Sequence, residues 1–197
     1  MDAQGGFALT VLFAAIFTNN ILLTNFLGMC SFLAVSKEIK TSLGLGFAVV
    51  FVMACTSVLN YLIYSHILIP LELTYLRFIV FIVVIAAFVQ LVEMIIERVS
   101  ETLYAALGIF LPLITVNCAI LGASLFMVIR EYNLLSSFTY GLGSGIGWFL
   151  AILAMAGIRQ KIAKAKIPRG LEGAGITLII TGMMALAFIG FTGMINI

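Results

Sequence analysis

Long uncharged runs such as Ile79 to Val89 and Ile176 to Ile189 decide most of what this chain can fold into. They do not alternate apolar with polar residues, as a strand wetted on one face would. Comparable stretches fill most of the remaining sequence, so that 63% of the 197 residues are hydrophobic and 9% charged, with a mean hydropathy of +1.26. A water-soluble domain carries roughly 45–50% apolar and about 25% charged residues, and a membrane barrel reads as alternating segments of about 10 residues. Neither fits. The sequence predicts an all-α integral membrane protein, whose helices satisfy their own backbone groups within the bilayer.

Six membrane-spanning helices are expected in a single domain over 1–197: Gly6 to Val35, Leu43 to Tyr64, Pro70 to Ile96, Leu103 to Ile129, Leu134 to Ile158 and Leu171 to Ile195. At ~1.5 Å per residue the first is longer than a ~30 Å hydrocarbon core needs. Pro70 stands at a tolerated helix start. His66, the one histidine, falls in the loop before it, which argues against a histidine-bound metal or haem. Arg159 to Arg169 holds five of the ten basic residues and is expected to be cytoplasmic. Counting back places Lys37, Lys40 and Arg98 on the same side, leaves Arg77 and Arg130 outside, and makes both termini extracytoplasmic. The basic segment reads first as a topology signal, with docking of a cytoplasmic partner as the alternative. The start, Met1-Asp2-Ala3-Gln4, lacks the positive region of a cleavable signal peptide.

Within this frame the chain repeats itself weakly. Phe26-Leu27-Gly28-Met29-Cys30 and Pro112-Leu113-Ile114-Thr115-Val116-Asn117-Cys118 each set one cysteine beside a helix-weakening residue in an apolar segment. After Cys30 come a polar loop, Ser36 to Ser42, and a glycine-marked helix start at Gly44. After Cys118 come Arg130 to Ser137 and then Gly141-Leu142-Gly143-Ser144-Gly145-Ile146-Gly147-Trp148. Two inverted three-helix repeats follow, about 5–98 and 101–195, with spans one and four broken near the midplane. Interrupted helices in matching positions point to a site there.

The residues at the breaks have ordinary readings as well as chemical ones. Buried cysteines are common and usually inert. An odd count, Cys30, Cys55 and Cys118, argues against a disulfide framework. Two thiolates are too few for a [2Fe–2S] centre, which takes four cysteines, but they supply half of one if a similar subunit supplies the rest. Cys55 has no counterpart in the repeat and reads as packing. Asn19, Asn20, Thr24 and Asn25 precede Cys30, and Thr115 and Asn117 precede Cys118. They can satisfy unwound backbone, tune a cluster or line an ion path. Glu93 and Glu97 follow Gln90 on one face of span three. Near an interface a solvated or paired carboxylate is the plain reading, with Glu93, the deeper one, as an ion-path candidate beside Asn20. The glycines Gly141 to Gly147 read as a close-packing stripe, not as a nucleotide loop.

Asn19-Asn20, Phe26 to Cys30, Ala34-Val35-Ser36-Lys37, Leu107-Gly108-Ile109-Phe110-Leu111-Pro112 through Cys118, and Gly141 to Trp148 together resemble the RnfA/NqrE family, over essentially the whole chain. The resemblance implies a membrane electron-relay subunit of a redox-driven Na+ or H+ pump in a bacterial or archaeal plasma membrane. It implies pairing with a homologous subunit of opposite topology (RnfE- or NqrD-like), and further flavin-bearing and iron–sulfur subunits. It also implies that Cys30 and Cys118 supply half the ligands of an intramembrane [2Fe–2S] cluster shared with that partner, with Gly28, Asn25, Thr115 and Asn117 around it. Leu33 to Lys37, Thr115 to Ile120 and Gly143 to Trp148 look more like the sibling branch, but Asn19-Asn20 and, above all, the compact link ending Tyr75-Leu76-Arg77 favour the Rnf branch, a ferredoxin:NAD+ oxidoreductase complex. The sibling branch is the Na+-translocating NADH:quinone oxidoreductase. An added electron at the cluster is expected to draw a cation into an adjacent path.

No residue of the chain reads as catalytic for hydride or flavin chemistry, and nothing points to nucleic acid; any enzyme activity belongs to a complex. A secondary transporter without a redox role is the rival reading, since inverted repeats and broken helices suit it equally. Its cysteines would be dispensable.

Overall fold

The computed structural model describes residues 2–99, 111–163, 168 and 173–190, and all regular structure among them is helical. The elements are α1 (Asp2–Phe13), α2 (Met29–Val35), α3 (Ile39–Ile63), α4 (Arg77–Val99), α5 (Leu111–Thr115), α6 (Cys118–Ile129), α7 (Leu134–Ile162) and α8 (Ala174–Ile189). Among the described residues four stretches are long and apolar enough to cross a membrane: Ile39–Leu68, Thr74–Arg98, Pro112–Ile129 and Leu134–Ile162. Two shorter apolar helices, Phe7–Thr18 and Ala174–Ile189, lie where the first and last spans are expected. The expected start of span four, 103–110, both ends of span six and the basic residues Lys164, Lys166 and Arg169 lie outside the described residues.

Both expected breaks are present. α1 widens into a π-turn at Ala14–Thr18 and stops, with the Asn19 N–H donating to the Ala14 carbonyl at 2.7 Å. The chain resumes as a helix only at Met29. In span four the ladder fails between Thr115 and Cys118. The Val116 N–H still reaches the Pro112 carbonyl at 3.3 Å, and Asn117, in an extended conformation, restarts the helix as its cap.

The link between α3 and α4 differs from expectation. Helical hydrogen bonding runs past Tyr64 through a second π-turn, Tyr64–Leu68, so His66 lies on the last turn of the rod and not in a loop. Pro70 follows that turn and does not open α4, which starts at Arg77 after a short 3-10 turn, Thr74–Leu76. In a regular α-helix the Pro70 ring would strike the carbonyl of His66, four residues earlier; the wider turn relieves this. Glu72, at φ 55°, then reverses the chain.

Inside a bilayer apolar burial gives little drive for helices to associate, so close packing and interhelical hydrogen bonds carry the bundle. The glycines of α7 show how. A β-carbon at Gly141 would meet Ser57 and one at Gly145 would stand 2.9 Å from Val50, both on α3. A β-carbon at Gly143 would stand 2.9 Å from the Leu12 carbonyl, and one at Gly147 3.0 Å from the Asn20 amide. Alternate glycines thus seat α7 against α3 and against the first span, as a close-packing stripe should. Asn60 on α3 adds a buried bond to Ser124 Oγ on α6 at 2.8 Å.

At one end of the bundle Arg159 reaches from α7 to the end of α2, donating to the Leu33 carbonyl at 3.1 Å and to Ser36 Oγ at 2.8 Å. A cation at a helix C-terminus meets its dipole. It also places the beginning of the basic segment beside the short turn that links α2 to α3, at one end of the bundle; the expected Ser36–Ser42 loop is shorter, because α3 already begins at Ile39. Arg159→Ala is expected to cost about 1–2 kcal/mol, lowering the melting temperature of the detergent-solubilised protein by roughly 2–8 °C. An unchanged melting curve would show that the contact contributes nothing.

Candidate metal centre

The two breaks meet. Gly28, the residue before α2, donates its N–H to Sγ of Cys118, the first residue of α6, at 2.9 Å. Leu27 lies over Gly122, whose missing β-carbon leaves room for the leucine side chain. Gly28 is buried and has φ 83°, a conformation open to glycine and costly for other residues. Its carbonyl accepts from the Phe32 N–H and from Ser31 Oγ, each at 3.1 Å, which winds the first turn of α2. Cys30 sits in that turn.

Both thiols face outward. Cys30 and Cys118 are exposed on the surface of this chain, while Cys55 is only partly exposed in the middle of α3. Around them Asn25 and Phe26 are exposed and Val116 is 71% exposed, whereas Ile21, Leu22 and Leu23 of the break are buried. Phe26 holds φ 54°, a strained value for a bulky residue. Among the described residues no set of three or more His, Cys, Asp or Glu side chains gathers where a metal ion could be held.

The expected surrounding residues are placed as follows. The Asn117 side-chain oxygen accepts from the Ala119 N–H at 3.0 Å and so caps α6. Thr115 ends α5 and is partly buried. Asn20 is a staple: its amide donates to the Ile16 carbonyl at 3.2 Å and the Gly147 carbonyl at 2.8 Å, and its oxygen accepts from the Leu22 and Leu23 N–H groups at 3.1 and 3.4 Å. These bonds hold the break against α7 and occupy the whole side chain. Glu93 lies two turns from the end of α4, partly exposed, with no hydrogen bond or ion pair to any described residue.

One residue at this site escapes sequence reasoning. Trp148, fully buried, stands with its indole nitrogen 2.7 Å from where a Gly28 β-carbon would be. Asn117 Oδ1 lies 3.0 Å and Ala119 Cβ 3.1 Å from the same point. A signal for it exists: the chain has one tryptophan, and a buried indole N–H ordinarily finds a partner.

The donor set suits an anionic sulfur centre. A backbone N–H already points at Cys118 Sγ, and Cys118 opens a 12-residue helix, whose first N–H groups and dipole favour negative charge.

The family described as "Rnf-Nqr subunit, membrane protein" matches residues 8–195. The E subunit of the Na(+)-translocating NADH-quinone reductase of Psychromonas ingrahamii is 51% identical over 195 residues, 94% of this chain and 96% of the relative. The proteins of the same name from Aeromonas salmonicida and Serratia proteamaculans are 53% identical over 191 residues (94% and 96%) and 55% identical over 185 residues (91% and 93%).

Proposed function

The chain belongs to the Rnf-Nqr family of membrane subunits, and from that premise we propose that it is the NqrE-type electron-relay subunit of a Na+-translocating NADH:quinone oxidoreductase. In this reading Cys30 and Cys118 are half the ligands of a [2Fe–2S] cluster within the membrane, shared with a homologous subunit of inverted topology. The single observation that carries it is the meeting of the two breaks, with Cys118 Sγ bonded to Gly28 and both thiols on the outer face of the chain. The Rnf branch, favoured by the short link before Arg77, gives way. The length of one loop drifts easily, and it weighs less than 51–55% identity along more than nine-tenths of the chain.

A bound [2Fe–2S] cluster would supply a one-electron relay. The chain's own part is to hold and orient it. Cys30 and Cys118 bind as thiolates, so they must lose their protons. The Gly28 N–H fixes the Cys118 rotamer and spreads the thiolate charge. The N-terminal turn of α6 offsets that charge in a medium where it would otherwise be costly. Ile21, Leu22 and Leu23, all buried, keep water from behind the site. Asn20 is engaged in the fold, which leaves Glu93 as the candidate for a cation path.

The test compares this chain purified alone with the same chain co-purified with its homologous partner. The single chain should hold no acid-labile sulfide and give no [2Fe–2S] EPR signal on reduction, and the pair should hold one cluster. A complete cluster on the isolated chain would contradict the half-site. Absence of a cluster from both preparations would leave the non-redox transporter as the better reading.

A further inference from the structure

We propose that Trp148 is a positioning residue for the sulfur at Cys118: its indole N–H donates to the Cys118 thiolate and thereby raises the reduction potential of the centre. The inference rests on the shared-cluster reading above.

Two side-chain donors are buried without an acceptor beside the Cys118–Gly28 contact. They are Trp148 Nε1, in a residue 0% exposed, and Asn117 Nδ2, in a residue 2% exposed. Both residues border Gly28: the indole nitrogen and Asn117 Oδ1 lie 2.7 and 3.0 Å from the point a Gly28 β-carbon would occupy. The Gly28 amide itself donates to Cys118 Sγ at 2.9 Å. A buried donor with no acceptor is costly, and native proteins rarely leave one. Of the two, the indole N–H is the one placed at the Gly28 corner; Asn117 meets that corner with its oxygen.

The sign of the missing partner follows from chemistry. An indole nitrogen offers only a proton, and so does an amide nitrogen. Both repel a cation and welcome an acceptor, so this corner does not serve as a sodium site. The acceptor chemistry that the site brings to the same corner is the sulfur of Cys118, as its thiolate. Asn117 Oδ1 is already engaged as the α6 cap, which turns its Nδ2 amide away from that bond. Hydrogen bonds to cluster sulfur favour the reduced, more negative state, so removing one donor should make reduction harder.

The experiment uses the assembled complex, grown with indole-15N tryptophan and reduced, and reads 15N coupling to the cluster spin by pulsed EPR. Redox titrations of wild type and Trp148→Phe accompany it. The expected result is an indole coupling in wild type that Trp148→Phe removes, with cluster content unchanged. The reduction equilibrium should shift about tenfold toward the oxidised form, about 59 mV for one electron. An unchanged potential without any indole coupling would overturn the proposal, as would a coupling that survives in Trp148→Phe. A shifted potential with no coupling in wild type would assign the indole to water or to backbone and would also overturn it. If Trp148→Phe fails to assemble, Trp148→His, which keeps a ring N–H, and the labelled wild-type spectrum decide by the same criterion. The two readings fail separately. If no cluster signal depends on Cys30 and Cys118, the shared cluster itself is removed. If such a signal lacks an indole neighbour, only the role of Trp148 is removed.

Discussion

With the cluster shared as proposed, serine at Cys30 or at Cys118 should each remove the [2Fe–2S] EPR signal of the reduced complex and stop its electron flow, while serine at Cys55 leaves both at wild-type level. The contrast rests on position. Cys30 and Cys118 lie in the first turns of the helices that follow the two breaks and present their sulfurs on the outer face of the chain. Cys55 lies mid-helix in α3 between buried Ala54 and Thr56. Serine offers an oxygen of much higher pKa in place of a soft thiolate, which iron–sulfur chemistry tolerates poorly. The fold should survive each change. Neither thiol is in a disulfide, and the Gly28 bond lost or lengthened at Cys118 is worth only about 0.5–1.5 kcal/mol. Assembly is therefore expected to be near normal, checked by subunit content on a native gel beside the EPR spectrum. Retention of the signal in Cys30→Ser or Cys118→Ser would remove that residue from the ligand set. Loss of the signal in Cys55→Ser at normal assembly would show that the wrong cysteines had been paired.

Local backbone chemistry explains what the sequence discloses. Gly28 and Pro112 mark the neighbourhood of the breaks without knowledge of what they pack against, although the second break falls past Pro112, at Asn117. The glycine stripe is legible for the same reason: four glycines at alternate positions leave a helix little to offer except close approach. What stays hidden depends on contacts distant in sequence. Asn20 reads as one of several polar residues near Cys30, yet its partner is the carbonyl of Gly147, 127 residues away. Arg159 reads as part of a charged loop, yet it closes α2. Pro70 is misplaced by sequence because a proline fits either a helix start or the turn after a widened helix end, and only the π-turn at Tyr64–Leu68 separates the two. Trp148 ends a recognisable glycine motif, but that its indole walls the Gly28 corner is a fact of how α7 sits against the first break.

Alanine at Gly28 is the smallest substitution that should disable the site. Two costs add. The residue holds φ 83°, where a β-carbon costs roughly 1–2 kcal/mol. The new methyl would stand 2.7 Å from Trp148 Nε1, closer than β-carbon contacts come, so α2 or α7 must move; overpacking of this kind costs about 1–3 kcal/mol. A combined loss of roughly 2–5 kcal/mol is expected in thermal or denaturant unfolding, together with loss of the cluster, because movement of Gly28 breaks its bond to Cys118. Gly157→Ala and Gly182→Ala are the matched controls. Both are helical positions with nothing within 4 Å of the new methyl, and alanine there should leave stability unchanged or raise it by up to about 1 kcal/mol. The double variant Gly28→Ala, Trp148→Phe separates the two costs. Phenylalanine withdraws the indole nitrogen and should return the steric part, leaving about 1–2 kcal/mol for the backbone. No recovery in the double variant would mean that the conformation of Gly28, and not the space beside it, makes glycine necessary there.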